Sequence, residues 1–180
     1  MAGLIDRMVR ASKLDVSAYE EVEADKGATG QAAAIVVVSS IAAGIGSIGV
    51  FGMQGLLYMT IGALVGWLIW AFLTFIIGTK LLPEPQTKAD MGEMLRTIGF
   101  SSSPGVLRIL GVIPVIGGII NFVIGIWMLV AMIIAVRQAL DYKSTWRAAG
   151  VCIIGFIVYF VVMFFIFKLI GVNPAVEPTA

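Results

Sequence analysis

From Gln31 to Phe51 the chain carries no charged residue, and from Gly55 to Leu82 it carries only Lys80. Runs of that length leave few folds open. A bilayer core is about 30 Å thick, and a helix rising about 1.5 Å per residue needs about 20 mostly apolar residues to cross it. No water meets the backbone there, so such a segment must bond internally, as a helix. A third run, Ala148–Ile170, is the most hydrophobic and holds Phe156, Tyr159, Phe160, Phe164, Phe165 and Phe167. Composition agrees: 59% of the 180 residues are hydrophobic and 13% charged, against roughly 45–50% and about 25% in a soluble domain. The expected fold class is all-α and polytopic.

Val106–Leu140 is apolar again, interrupted by Pro114, Gly117, Gly118 and Asn121. As one helix its roughly 35 residues would reach about 50 Å, too long for one crossing. Gly and Asn tolerate turn geometry, so a hairpin turning near Gly117–Asn121 is expected. This gives five transmembrane helices, at about 31–51, 55–82, 104–119, 121–140 and 148–170, with a short outer tail at 171–180. Charge supports the count. With the N-terminus inside, 11 of the 12 Lys and Arg residues fall on the inner side and Lys168 alone lies at the outer end, a strong positive-inside signal. The expected location is the cell membrane, with the N-terminus cytoplasmic and the C-terminus outside. The mostly polar first thirty or so residues do not read as a cleaved export signal, so the first span is expected to act as an uncleaved insertion signal.

Residues 1–30 form an amphipathic and acidic segment. Leu4, Ile5, Met8 and Val9 recur at helical spacing among Asp6, Arg7, Arg10 and Lys13, as in a helix lying at the membrane interface. Asp15–Lys26, with Glu20, Glu21, Glu23 and Asp25, reads as an acidic linker. A second interfacial amphipathic helix is expected at 90–100, where Met91, Met94, Leu95 and Ile98 make an apolar stripe. Asp90 is its candidate cap and Gly99 its candidate end.

Nothing in the chain reads as a catalytic centre. His is absent, which removes the commonest acid–base residue and metal ligand. The single cysteine, Cys152, lies in an apolar run and reads as a small buried hydrophobe. No phosphate-cradling loop is present, and a net charge of +1 offers no field for nucleic acid. No cofactor and no enzyme activity are expected. The polar residues that stand out are Glu93, Arg96, Arg108, Arg137, Gln138 and Asp141, all read as lying near the inner ends of spans. Charge this close to hydrocarbon must snorkel, pair or line water, so they form a candidate structural or lipid-headgroup cluster, anionic lipid being the natural ligand. Gly62-x-x-x-Gly66 and the glycines from Gly44 to Gly55 let helices approach closely, within one subunit or between copies. Trp67, Trp70 and Trp127 read as packing or lipid-facing groups, and Tyr142 and Trp146 as an inner aromatic belt.

Leu82–Asp90 (LPEPQTKAD), Met94–Leu107 (MLRTIGFSSSPGVL), Ile113–Pro114, Trp127–Tyr142 (WMLVAMIIAVRQALDY) and Thr29–Ala33 (TGQAA) together resemble the Yip-one domain family, the Ypt/Rab-interacting proteins, in their short prokaryotic form. The resemblance covers roughly residues 15–170 and implies five transmembrane helices with a cytosolic N-terminus. Its eukaryotic members act in Golgi and endoplasmic-reticulum trafficking by binding prenylated Rab GTPases. The long cytosolic region of those members is missing here, so Rab binding does not carry over. Arg96, Gly99, Phe100, Pro104, Pro114, Trp127, Arg137 and Leu140 match the pattern as fold-defining candidates. The leading expectation is a non-enzymatic, oligomeric membrane protein that organises membrane or partner proteins. The alternative is a small channel or lipid-handling transporter, with a seam along the Gly-rich first span, the short third and fourth helices and the Arg96–Arg108–Arg137 cluster.

Overall fold

The computed structural model describes residues 3–170, excluding the side chains of 48–59, 163, 166–167 and 169–170. The expected outer tail at 171–180 and the environments of Gly49, Gly52 and Gly55 therefore lie outside the described residues. Seven α-helices follow one another among the described residues: α1 (Leu4–Ser12), α2 (Val16–Ala24), α3 (Thr29–Gly46), α4 (Ile48–Ile76), α5 (Met91–Ser101), α6 (Gly117–Ala139) and α7 (Thr145–Ile170). A 3-10 turn, Lys26–Ala28, leads into α3, and a π-helical turn, Ile77–Leu81, extends α4. Four helical stretches are long and apolar enough to cross a membrane: Lys26–Gly46, Thr60–Leu81, Gly117–Ala139 and Thr145–Val162. The chain is an all-helical, multi-pass membrane protein.

The segment expected to cross at 104–119 takes a different form. Ser103–Val112 is a 3-10 helix, opened by Pro104, and it continues directly from α5. Eleven residues at about 1.5 Å and ten at about 2.0 Å make a rod of roughly 36 Å. This composite rod runs alongside α3 in the same direction. A Cβ on Gly99 would meet that of Ala32 at 2.6 Å, the Ser39 hydroxyl donates to the Ser102 carbonyl at 2.7 Å, and Gly46 lies against the Arg108 carbonyl. Gly99 and Gly46 are glycine because the two backbones touch at those levels.

The helix expected at 90–100 forms, and its start is a capping box: Glu93 N–H donates to Asp90 Oδ1 at 2.8 Å, and Asp90 N–H donates to Glu93 Oε2 at 2.7 Å. It does not lie exposed at an interface. Met94, Arg96, Thr97, Ile98 and Phe100 are all buried, between α3, α4 and α6. Its polar residues reflect internal partners rather than headgroups. The turn after the 3-10 helix falls at 113–116, earlier than expected. There Val115 takes φ 70° and the Ile116 N–H closes onto the Pro114 carbonyl at 2.8 Å, while Asn121 belongs to α6. The break between the first two spans comes at Ser47 rather than at 52–54.

Two apolar clusters hold the bundle. One joins α4, α5, α6 and α7 through Trp70, Met94, Leu140, Val151 and Cys152. The other joins α1 and α2 to α3, α5 and α6 through Ala11, Tyr19, Val22, Ile35 and Phe100. Ala131, Ala135 and Ala139 recur along the buried side of α6, where small side chains permit close packing in lipid. Outward, Ile61, Val65, Phe72, Phe122, Ile126, Ile157 and Phe160 are exposed, as side chains that meet acyl chains must be.

Candidate functional site

The expected acidic linker is helix α2. Asp15 caps it by accepting from Ser17 N–H at 3.0 Å, and Ala18, Tyr19 and Val22 give it a buried face. Its C-terminal carbonyls have no partner within the helix. Arg96 reaches them from α5: Nε donates to the Val22 and Glu23 carbonyls at 3.0 and 3.1 Å, and Nη2 donates to Glu23 as well. A cation at the negative end of a helix dipole is doubly favourable, and this arginine is only 4% exposed.

On α1, Arg7 pairs with Glu21 at 2.9 Å and with Asp25 at 2.8 Å, and donates to Gln31 at 3.1 Å. Arg10 pairs with Asp15 and Glu21. These arginines hold Glu21 below its ordinary carboxylate range, and Arg7 does the same for Asp25. Leu4 and Met8 turn inward onto the second cluster, leaving Ile5 and Val9 exposed. Trp127 Nε1 donates to the Ser12 carbonyl at 2.8 Å and ties α1 to α6.

At the end of α6 the chain closes in a Schellman turn, with Asp141 N–H on the Gln138 carbonyl at 2.8 Å and Tyr142 N–H on that of Arg137 at 2.9 Å. Asp141 takes φ 54°, a left-handed conformation that aspartate tolerates. Arg137 Nε returns to the Tyr142 carbonyl at 3.1 Å, and Gln138 donates to Glu20 at 3.1 Å. The buried Tyr142 hydroxyl lies 2.9 Å from the Gly78 carbonyl and 2.7 Å from that of Leu82. It anchors the π turn of α4, and burial pushes its hydroxyl up to about 12.

These elements enclose a polar pit of about 500 Å³, lined by Glu20, Glu23, Glu93, Arg137, Gln138 and Asp141 among others. Glu23 is pushed up to about 7, first by burial and then by Glu93, Asp141 and Glu20, with Arg96 pulling the other way. Four of the six expected cluster residues thus share one site. Glu20 and Glu23 join them from the segment read as a linker; the helical spacing of Ala18, Tyr19 and Val22 behind Asp15 was the signal for them. The described residues contain no group of His, Cys, Asp or Glu suited to a metal.

The other two expected members stand apart. Arg96 is held by the α2 carbonyls. Arg108 is not near the inner end at all: its carbonyl abuts Gly46, at the far end of α3 from Thr29. The α5–3-10 rod carries it there. The Arg96–Arg108–Arg137 seam is therefore not a continuous feature of the molecule. Arg108 instead lines a half-open cavity of about 290 Å³ with Trp67, Trp70, Ser40, Gly66 and Met128.

A sequence model of the Yip1 domain matches residues 16–166, from the first turn of α2 to the last third of α7. No curated protein and no solved structure matches the chain.

Proposed function

Since the chain belongs to the Yip1 domain family, we propose that it is a non-enzymatic organiser of membrane and partner proteins, working as an oligomer through its cytoplasmic end. The observation that carries this reading is the inner pit. Three separate parts of the chain (α2, the start of α5, and the turn from α6 to α7) converge on one concave surface with charges of both signs. The pinned α1–α2 hairpin keeps that surface in shape. A preformed concavity carrying half-buried and exposed charge suits recognition of a polar protein segment better than it suits lipid tails.

The topology that goes with the proposal has the N-terminus in the cytoplasm and the C-terminus outside. The composite α5–3-10 rod acts as the third of five crossings. Even with Arg108 moved away from the inner end, ten of the twelve Lys and Arg residues stay on the inner side, in keeping with the positive-inside rule. Self-association has its own support. Gly62 on α4 has nothing within 4 Å of an added Cβ, and it is flanked by the exposed Ile61 and Val65, a face that a second helix can approach closely.

Crosslinking and native mass spectrometry of the full chain in mild detergent test the proposal. The expected result is a species above monomer mass that shifts toward monomer in Gly62→Ile, with copurifying protein lost in Glu23→Lys. A strict monomer with no copurifying partner overturns it.

A further inference from the structure

Trp67 and Trp70 sit one turn apart on α4 and line the same cavity, but their indole N–H groups differ. Trp67 Nε1 donates to the Leu95 carbonyl at 3.0 Å. Trp70, only 8% exposed, buries its Nε1 with no acceptor, and the Nε of Arg108 is buried without one too. Arg108 makes no hydrogen bond or ion pair to any described residue. An unmatched buried donor costs roughly 1–3 kcal/mol, and more when it is charged. Among the described residues these are the two buried side-chain donors without an acceptor, and both belong to residues that line this cavity.

The remaining lining does not relieve them, since no described residue accepts from Trp70 Nε1 or Arg108 Nε. Ser39 and Ser40 donate their hydroxyls to the Ser102 and Val37 carbonyls, at 2.7 and 2.8 Å. No carboxylate lines the cavity, and its wall between α3 and α4 is built from small side chains that include Ala43, Ala63 and Gly66. The cavity thus presents one positive charge in a mainly apolar, half-open setting. At about 290 Å³ it lies at the lower edge of small-molecule sites, roughly 300–1,000 Å³. That is too little for a whole two-chain phospholipid. It is enough for an anionic headgroup with the first carbons of its chain.

We infer that this cavity is a binding site for an anionic amphiphile from the surrounding bilayer. The Arg108 guanidinium holds its phosphate or carboxylate oxygens, and the chain lies against Trp70, Ala63, Gly66 and Met128. A charged side chain this far along a membrane helix pairs, snorkels or serves a ligand. Among the described residues Arg108 has no partner, and its side chain lines the cavity with Nε buried. The site is separate from the inner pit and does not depend on the scaffold reading.

The test titrates 12-bromododecyl phosphate into the full chain in neutral maltoside detergent and follows quenching of tryptophan fluorescence. 12-Bromododecyl phosphocholine is the zwitterionic control and inorganic phosphate the competitor. The wild type shows a saturable component with the phosphate probe only, which millimolar inorganic phosphate does not displace. Arg108→Gln weakens it by about tenfold or more, as expected on loss of a charge-assisted contact. Ala63→Leu fills the cavity without changing charge and abolishes the component, which keeps the test decisive if Arg108→Gln fails to fold. Trp70→Phe, read through the remaining tryptophans, weakens it by a smaller factor. Equal binding of both bromo probes, displacement by inorganic phosphate, or undiminished binding in Ala63→Leu overturns the inference.

Discussion

Arg96 and Arg108 lie on the same rod, twelve residues apart, and meet opposite fates. Arg96 is enclosed by the carbonyls that end α2, and Arg108 is half-enclosed in an apolar cavity with its Nε unmatched. Both are arginines in an apolar context, and in the sequence they look alike. The difference is whether the fold brings fixed acceptors to the guanidinium. Where it does, the arginine is structural and removing it leaves orphaned carbonyls. Where it does not, the arginine lowers the stability of the empty protein and is receptive to whatever supplies an acceptor.

That contrast breaks most visibly at Arg96. Arg96→Ala should cost about 3 kcal/mol or more, since hydrogen bonds to a charged group contribute roughly 1.5–3 kcal/mol each. It should also free the hairpin, so that limited proteolysis cuts near 13–26 before the bundle unfolds. A variant as resistant as the wild type would show that Arg96 does not hold α2. Tyr142→Phe applies the same logic at the other side of the inner end. Loss of the hydroxyl strands the Gly78 and Leu82 carbonyls, for about 1–2 kcal/mol by thermal unfolding in detergent. Arg108→Met should move the other way, with a gain of about 1 kcal/mol in neutral detergent, because a half-buried unpaired charge gives way to an apolar side chain of similar length. A loss at Arg108 comparable to that at Arg96 would erase the distinction between them.

The smallest effect is a pH slope. Glu23 is pushed up to about 7 in the fold, against about 4.3 for an unfolded glutamate, so the folded protein keeps this proton over a range where the unfolded chain has released it. Its contribution is complete below about pH 4.3 and is lost as pH rises through 7. Thermal unfolding between pH 5 and 8 should show stability falling as pH rises, with the slope flattened in Glu23→Gln. Asp15, Glu21 and Asp25, all held low by their partners, act with the opposite sign and only below that window. An unchanged slope in Glu23→Gln would place the titrating group elsewhere.

Most of the membrane architecture was legible in the sequence because lipid imposes length. The runs at 31–51, 55–82, 121–140 and 148–170 announced helices, although most of their boundaries shifted. What misled was polarity along the α5–3-10 rod. Asp90 was legible as the cap of α5 and Glu93 completes its capping box, while Arg96, read with Glu93 as part of a lipid-headgroup cluster, binds backbone that arrives from 74 residues away. Internal partners of that kind are invisible to periodicity. The rod also carries Arg108 away from the rest, so the cluster read as one site separates into the pit, the Arg96 anchor and the Arg108 cavity. The acidic stretch before α3 was hidden for a related reason: its charges hid a short buried face of Ala18, Tyr19 and Val22 that needs the bundle to be covered.

The most direct test of the contrast measures stability against added dodecyl phosphate in neutral detergent, for wild type, Arg96→Ala and Arg108→Gln. A ligand that binds only the folded state raises its stability with concentration. Wild type and Arg96→Ala should start from different midpoints and rise by the same increment, while Arg108→Gln shows none. An increment in Arg108→Gln equal to that of the wild type would contradict the account, since the receptive arginine would then receive nothing.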